Sequence, residues 1–433
     1  MLEQWFHLKE RGTTVGKEAL AGLTTFVTMV YIVVVCPAVL SQTGMSFEGV
    51  FIATVIATVV ATLFMGAAAN YPIAIAPGLA LIAYFTFGVV IGEKVAWQTA
   101  LGAVFIASVI FLLLSFTQFR HILIDAIPPS LKHGISAGIG LFITFIGLQN
   151  AKLIVDSPAT LVALGDLRDP ATLLAVFGVV ATLALMLYEV RGAIFVGMLL
   201  TFGAACALGM VEVPQRFFVP PHGFAETALQ LDLAGVFEQG LYAVVFTFFL
   251  ITLFDTTGTM LGVAEQAGLM KDGKFPNVQT ALLADAIGST VGALCGTSPT
   301  SAYVESGAGV AAGGRTGLTS VVVALLFCVT LFCAPLAKML SQVSAVTAPA
   351  MIIVGFFMME GLRKVDWSNL EEAFPAFLVM LLMPLSYSIA TAVGVGFIFY
   401  PLFKLLRGKG REVHPLLYVF QVLFLIQIGF LSH

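Results

Sequence analysis

Two apolar segments of this chain are interrupted in matching places. The first reads Asn70-Tyr71-Pro72-Ile73-Ala74-Ile75-Ala76-Pro77-Gly78-Leu79. The second reads Gly296-Thr297-Ser298-Pro299-Thr300-Ser301-Ala302-Tyr303-Val304-Glu305-Ser306-Gly307. Each puts Pro and Gly or Ser inside a run too short to cross a bilayer as one straight helix. Each is the third hydrophobic segment of its half of the chain. Paired interruptions of this kind predict inverted repeats, with a binding site near the bilayer midplane where irregular backbone lines a cavity.

The rest of the sequence supplies the frame for such a pair. Of 433 residues, 59% are hydrophobic and 10% charged, against about 25% charged in a soluble domain. The chain is therefore read as a polytopic integral membrane protein. Apolar runs fall near 18–40, 47–68, 73–88, 96–116, 131–149, 171–188 and 192–210, then 237–261, 278–294, 301–313, 316–336, 346–361, 373–389 and 391–406. That is fourteen, seven on each side of a Pro-rich connector at 211–235 in which short strands are expected. A further apolar stretch, 413–431, is either an extra span or a helix at the surface.

Short-loop Lys and Arg set the orientation. With Lys9, Arg11 and Lys17 in the cytoplasm, Arg120, Lys132, Arg191, Lys271, Lys274, Arg315, Arg363 and Lys364 also fall inside. The acid-rich stretch 150–170 and the connector fall outside, with Lys152, Arg168, Arg216 and Lys338 as exceptions to the rule. A basic patch for nucleic acid is absent, and so is a Walker loop, so transport would be downhill or driven by an ion gradient. The five cysteines lie in or beside apolar runs without a CxxC pair, and the six histidines lack metal-ligand spacing, so neither a disulfide framework nor a metal centre is expected.

Four polar groups stand where lipid or protein interior is expected. Asp255 follows the apolar run Phe248–Phe254, and Thr259 lies one helical turn later on the same face. A carboxylate at a helix centre costs about 2.5–3.5 kcal/mol on insertion scales, which argues for a polar cavity. Glu305 lies just inside the second break; a half-helix starting near Ser301 would turn first-turn amides toward the gap. The first break presents amides after Pro77-Gly78, with Leu79 and Ala80 at its mouth and Tyr84 and Phe85 beyond as stacking candidates. Asp285 is a third intramembrane acid, suited equally to an interhelical hydrogen bond or to proton coupling. Two acids in one cavity favour a neutral or cationic solute, and acids that change protonation can couple proton entry to solute entry.

These residues resemble nucleobase–cation symporter family 2, the nucleobase–ascorbate transporter superfamily, in its adenine/guanine/hypoxanthine permease (AzgA-like) branch. The resemblance rests on Lys9-Glu10-Arg11-Gly12-Thr13-Thr14, Ala21-Gly22-Leu23-Thr24-Thr25-Phe26, Ala76-Pro77-Gly78, Phe254-Asp255-Thr256-Thr257-Gly258-Thr259 and Lys274-Phe275-Pro276. It continues through Gly296-Thr297-Ser298, Tyr303-Val304-Glu305-Ser306 and Gly313-Gly314-Arg315-Thr316-Gly317-Leu318-Thr319. Ala80-Leu81-Ile82 departs from the branch's usual Gly-Leu-Asn, and Cys36-Pro37 from its Asn-Pro.

The resemblance implies an all-α fold of 14 transmembrane segments in two inverted repeats of seven, with broken third and tenth helices each preceded by a short extended stretch. It implies a cytoplasmic N-terminus at 1–17, a core domain at 18–116 and 236–336, a gate domain at 117–210 and 337–412, and a C-terminal helix at 413–433. A homodimer through the gate domain and a place in the inner membrane lipid are part of it. It places a purine base on Asp255, Glu305, Thr259, Leu79, Ala80, Val304, Phe26 and Tyr84. Glu305, Asp255 and Asp285 are its candidates for coupling to a proton, or to sodium in its place. The expectation is thus a proton-coupled purine importer rather than an enzyme, with no cofactor. The alternative is an anion transporter or channel of the same fold, of the sulfate or bicarbonate type.

Overall fold

The computed structural model describes residues 2–117, 126–212, 216–270 and 275–426. Arg120, Lys271 and Lys274, counted above for orientation, lie outside them. Each of the fourteen apolar runs contains a helix, and among the described residues ten helices are long and apolar enough to cross a membrane. Capping follows the local sequence. Thr14 opens Val15–Met29 by accepting from the Lys17 amide, and Ser46 opens Phe47–Phe64 by accepting from Gly49.

The helices sort into two bundles, and both halves of the chain contribute to each. In one, Val278–Cys295 packs on Phe47–Phe64 and Trp97–Ser115, Gly317–Thr330 packs on Val15–Met29 and Phe47–Phe64, and Tyr242–Gln266 packs on Trp97–Ser115. In the other, Pro129–Asn150 packs on Ser344–Met358 and Leu370–Ser386, and Pro170–Leu187 on Ala193–Ala207 and Ser344–Met358. These are the core and the gate. Small residues let the gate helices close up: a Cβ on Gly140 would lie 2.5 Å from the Gly355 carbonyl, and one on Gly134 2.8 Å from Ala376 Cα. On Pro170–Leu187, the side chains of Leu173, Phe177, Val180 and Leu187 form an exposed stripe toward lipid.

Both interruptions are extended, and they meet. Strand Ile75–Pro77 pairs antiparallel with Thr300–Ala302, in the register Ile75↔Ala302, Ala76↔Ser301, Pro77↔Thr300. Outside a helix, backbone groups at this depth must find other partners, and neighbouring hydroxyls provide them. Thr62 Oγ1 accepts from the Ile75 amide at 3.0 Å and donates to its carbonyl at 2.9 Å. Ser289 Oγ accepts from the Thr300 amide at 2.9 Å, and Ser306 Oγ from Ala74 at 3.0 Å. Ser320 Oγ donates to the carbonyls of Tyr71 (2.7 Å) and Ile73 (3.0 Å). Tyr303 crosses the pair with its amide on the Ala74 carbonyl at 3.0 Å and its hydroxyl on that of Pro77 at 2.6 Å.

The half-helices follow the strands as Leu79–Ala83, continuing with a wider turn through Tyr84–Gly92, and as Ser306–Ala311. The second begins at Ser306 rather than near Ser301, because the ladder to Ile75–Pro77 holds Thr300–Ala302 extended. The sequence blocks on which the resemblance rests also come together. Arg11 donates to the carbonyls of Asn70 (2.6 Å) and Arg315 (2.9 Å). Glu18, fully buried, accepts from the amides of Arg315, Thr316 and Thr319 and from the Thr319 hydroxyl at 2.6 Å.

Two loops differ from expectation. Among the described residues the connector holds no strand, only a short turn at Phe224–Glu226 and the helix Leu233–Glu238; its prolines remove ladder donors. A hairpin, Ile154–Ser157 with Leu161–Leu164, stands instead between the fifth and sixth segments. Of the final apolar stretch, Pro415–Ile426 is a helix against Ile389–Leu406, with the Phe397 and Phe424 rings stacked at 5.7 Å. Its described part, 12 residues, is shorter than the about 20 that a span needs.

Candidate functional site

A cavity opens where the two breaks face the eighth segment. It is open on one side, holds about 80 Å³, and is lined by Tyr31, Leu79, Ala80, Asp255, Thr259, Ser301, Ala302, Tyr303, Val304, Glu305, Val354 and Met358. Four elements of the core and one of the gate build it.

Tyr242–Gln266 is an unbroken helix, so Asp255 and Thr259 stand one turn apart and both reach the cavity. Leu79 and Ala80 begin the first half-helix. Glu305 stands at the turn that opens the second, directly after Val304, which is 70% exposed. Glu305 does not cap its own helix; its Oε1 accepts from the Tyr31 hydroxyl at 2.7 Å.

Asp285 lies beneath this floor rather than in its lining. It is 0% exposed. Its Oδ2 accepts from Thr256 Oγ1 at 2.6 Å and its Oδ1 from Thr300 Oγ1 at 2.7 Å. It therefore ties the residue next to Asp255 to the strand that precedes Glu305. Phe26 and Tyr84 also stand outside the lining. Phe26 turns edge-on to Phe327 at 5.1 Å, on the face where the first segment meets the eleventh. Tyr84 is fully buried against Phe248 at 4.8 Å.

The lining brings together Asp255, Thr259, Glu305, Leu79, Ala80 and Val304, and it adds residues that sequence reasoning missed. Tyr31 carried a signal, as the sole tyrosine of the run 18–40. Ser301 and Tyr303 lay in the quoted break without an assigned role. Val354 and Met358 had no signal: an apolar residue on an apolar helix does not announce a cavity wall. The lining contains two carboxylates and no Lys, Arg or His. Such a surface accepts hydrogen bonds from a solute's N–H groups and presents nothing cationic to an anion.

Comparison with known proteins identifies the family and the fold. Residues 16–395 match the Permease family. Guanine/hypoxanthine permease PbuO of Bacillus subtilis (strain 168) is 52% identical over 428 residues, covering 98% of this chain and 99% of that protein. Adenine permease AdeP of Escherichia coli (strain K12) is 41% identical over 433 residues, covering 100% and 97%. Among solved structures, the transmembrane domain of a cyanobacterium bicarbonate transporter, BicA, superposes with a TM-score of 0.66 at 17% identity, covering 87% of this chain and 97% of that one. The murine anion transporter Slc26a9 in its inward-facing state gives 0.65 at 13%, covering 90% and 68%. Those two structures share the fold of core and gate.

Proposed function

The chain belongs to the Permease family, the nucleobase–ascorbate transporters that its sequence resembles, and on that premise we propose that it imports purine nucleobases by proton symport. The observation that carries this reading is the cavity itself, with two carboxylates facing it and no cation among its lining residues. Asp255 and Glu305 accept from ring N–H or exocyclic amine groups of the base. Thr259 supports Asp255, and the backbone near Leu79, Ala80 and Val304 completes the pocket. Relatives named for guanine and hypoxanthine, at 52% and 44% identity, and for adenine, at 41%, support a purine as the solute.

Coupling follows from burial. A carboxylate in a space that changes access takes a proton on one side and releases it on the other. Glu305 is the group proposed to do so, with a proton rather than sodium as the coupling ion. Movement follows from where the lining comes from: every lining residue except Val354 and Met358 belongs to the core. The core therefore carries the base as an elevator past the gate, whose helix Ser344–Met358 forms one wall. A cytoplasmic N-terminus, a place in the inner membrane, an inverted repeat and a homodimer through the gate complete the reading.

The test is uptake of radiolabelled guanine, hypoxanthine, adenine and uracil in cells lacking their own carriers, with wild type, Asp255→Asn and Glu305→Gln, each with and without a protonophore. Saturable purine uptake, lost in both variants and collapsed by the protonophore, is the expected result. Uptake that persists in both variants overturns the site. Inhibition by sulfate or bicarbonate, with no purine uptake, moves the assignment to an anion carrier of the same fold.

A further inference from the structure

The Tyr31 hydroxyl has no packing reason to exist. The side chain is 1% exposed in the wall of the core, where a phenylalanine would fill the same space. A buried hydroxyl needs a partner or costs free energy, and the partner here is Glu305 Oε1 at 2.7 Å. The local backbone is arranged for this contact. The first span is interrupted at Val30 and Tyr31, between Val15–Met29 and Ile32–Leu40, where the Val33 amide bonds the Val30 carbonyl at 3.2 Å and the Val34 amide that of Tyr31 at 3.0 Å. These tighter turns sit six residues before Pro37. One turn earlier, Thr28 Oγ1 lies 3.4 Å from the Glu305 carbonyl oxygen. The first span thus holds the Glu305 side chain through Tyr31, while Thr28 gives its one proton to the Thr25 carbonyl at 2.7 Å.

Resting on the carboxylate site assigned above, we propose that Tyr31 is a positioning residue for transport. It holds Glu305 Oε1 and turns the second carboxylate oxygen into the cavity, so that base and proton meet at one defined atom. With Oε1 engaged, a proton taken by Glu305 goes to Oε2, where the resulting O–H donates to an acceptor of the base. A phenol suits this role because it donates to Oε1 both in the carboxylate and in the acid protonated on Oε2, where Oε1 remains a carbonyl acceptor, so the contact survives both halves of the cycle. The titratable groups that face Glu305 are Tyr31 on the first span, Asp255 on the eighth segment and Tyr303 two residues before it in the second break; the cavity lining adds no cation.

The experiment reads binding and uptake of radiolabelled hypoxanthine by the purified protein in liposomes, as a function of pH. Wild type, Tyr31→Phe, Glu305→Gln and the double variant form a cycle. The expected result is that Tyr31→Phe weakens binding about tenfold in the wild-type background and has no effect beside Glu305→Gln. A donor on a carboxylate favours its ionised form, so losing it moves the alkaline limb of the uptake profile up by about one pH unit. If Tyr31→Phe folds poorly, a fluorotyrosine placed at the same position keeps the shape and strengthens the donor, and the limb moves down. Equal weakening by Tyr31→Phe in both backgrounds, or an unmoved profile with either replacement, overturns the proposal while leaving the carboxylate site standing. Absence of purine uptake by the wild type overturns both.

Discussion

Acids are held in both bundles, but in the core they meet hydroxyls and amides, whereas in the gate they meet cations as well, Glu372 taking the Ser130 and Tyr400 hydroxyls beside Lys404. Glu305 takes the Tyr31 hydroxyl, and Asp285 takes those of Thr256 and Thr300. Glu18 takes three backbone amides and the Thr319 hydroxyl. In the gate, Glu371 Oε1 lies 2.6 Å from Lys409 and 3.3 Å from Arg407, and Glu372 lies 3.0 Å from Lys404. Lys404 itself is 6% exposed. A hydroxyl can serve a carboxylate or a carboxylic acid by rotating its proton. An ion pair works only while both partners are charged. The hydroxyl contacts of Glu305 and Asp285 therefore survive a change of protonation, whereas the ion pairs of the gate hold only while both partners stay charged.

The largest effect is expected where a charge loses its partner. Lys404→Met takes the cation at 3.0 Å from Glu372, which keeps only the hydroxyls of Ser130 and Tyr400, and should destabilise the protein by about 3 kcal/mol, read as a lowered thermal midpoint in detergent. Adding Glu372→Gln should recover most of it. An unchanged midpoint would mean that the gate charges are not a lock. Next come Asp255→Asn and Glu305→Gln, which should weaken base binding about a hundredfold while the thermal midpoint stays near wild type. A collapse of folding in either would make the core acids structural, like those of the gate. Asp285→Asn keeps the shape but can accept only one of two hydroxyls, so about 1–3 kcal/mol of stability should go; the proton-to-base stoichiometry should not change, and a changed ratio would return Asp285 to the coupling path. The smallest effect belongs to Lys338→Ala. Its pair with Glu48, at 2.6 Å, is solvent-exposed on the lysine side and should be worth less than about 1 kcal/mol.

Both breaks and both cavity acids were legible in the sequence for one reason: lipid makes polar residues conspicuous. Asp255 stood out against Phe248–Phe254, and Glu305 against the small apolar residues around it. What stayed hidden was three-dimensional pairing. The strand ladder, Tyr31 beneath Glu305 and the wall of Val354 and Met358 all depend on segments far apart in sequence. Phe26 and Tyr84 show the converse. The resemblance made Phe26 a candidate and proximity to a break made Tyr84 one, but their rings pack on Phe327 and Phe248, outside the cavity lining. The hairpin at 154–164 was legible in retrospect, from β-branched and apolar residues on either side of Pro158.

The strand pair has a consequence for how the molecule is made. Tyr303 reaches Pro77 across 226 residues, and three-residue strands do not persist alone. While the nascent chain is still being inserted, Ile75–Pro77 has emerged long before Thr300–Ala302 has been translated. Its ladder groups then have no partner in a medium that penalises each of them by several kcal/mol. The first half must therefore wait, shielded by its own hydroxyls such as Thr62 or held back at the insertion machinery, until the second half arrives. Pairings of such long sequence separation form late. The cavity floor is consequently among the last parts to assemble, and ligand binding becomes a report on the completion of biogenesis.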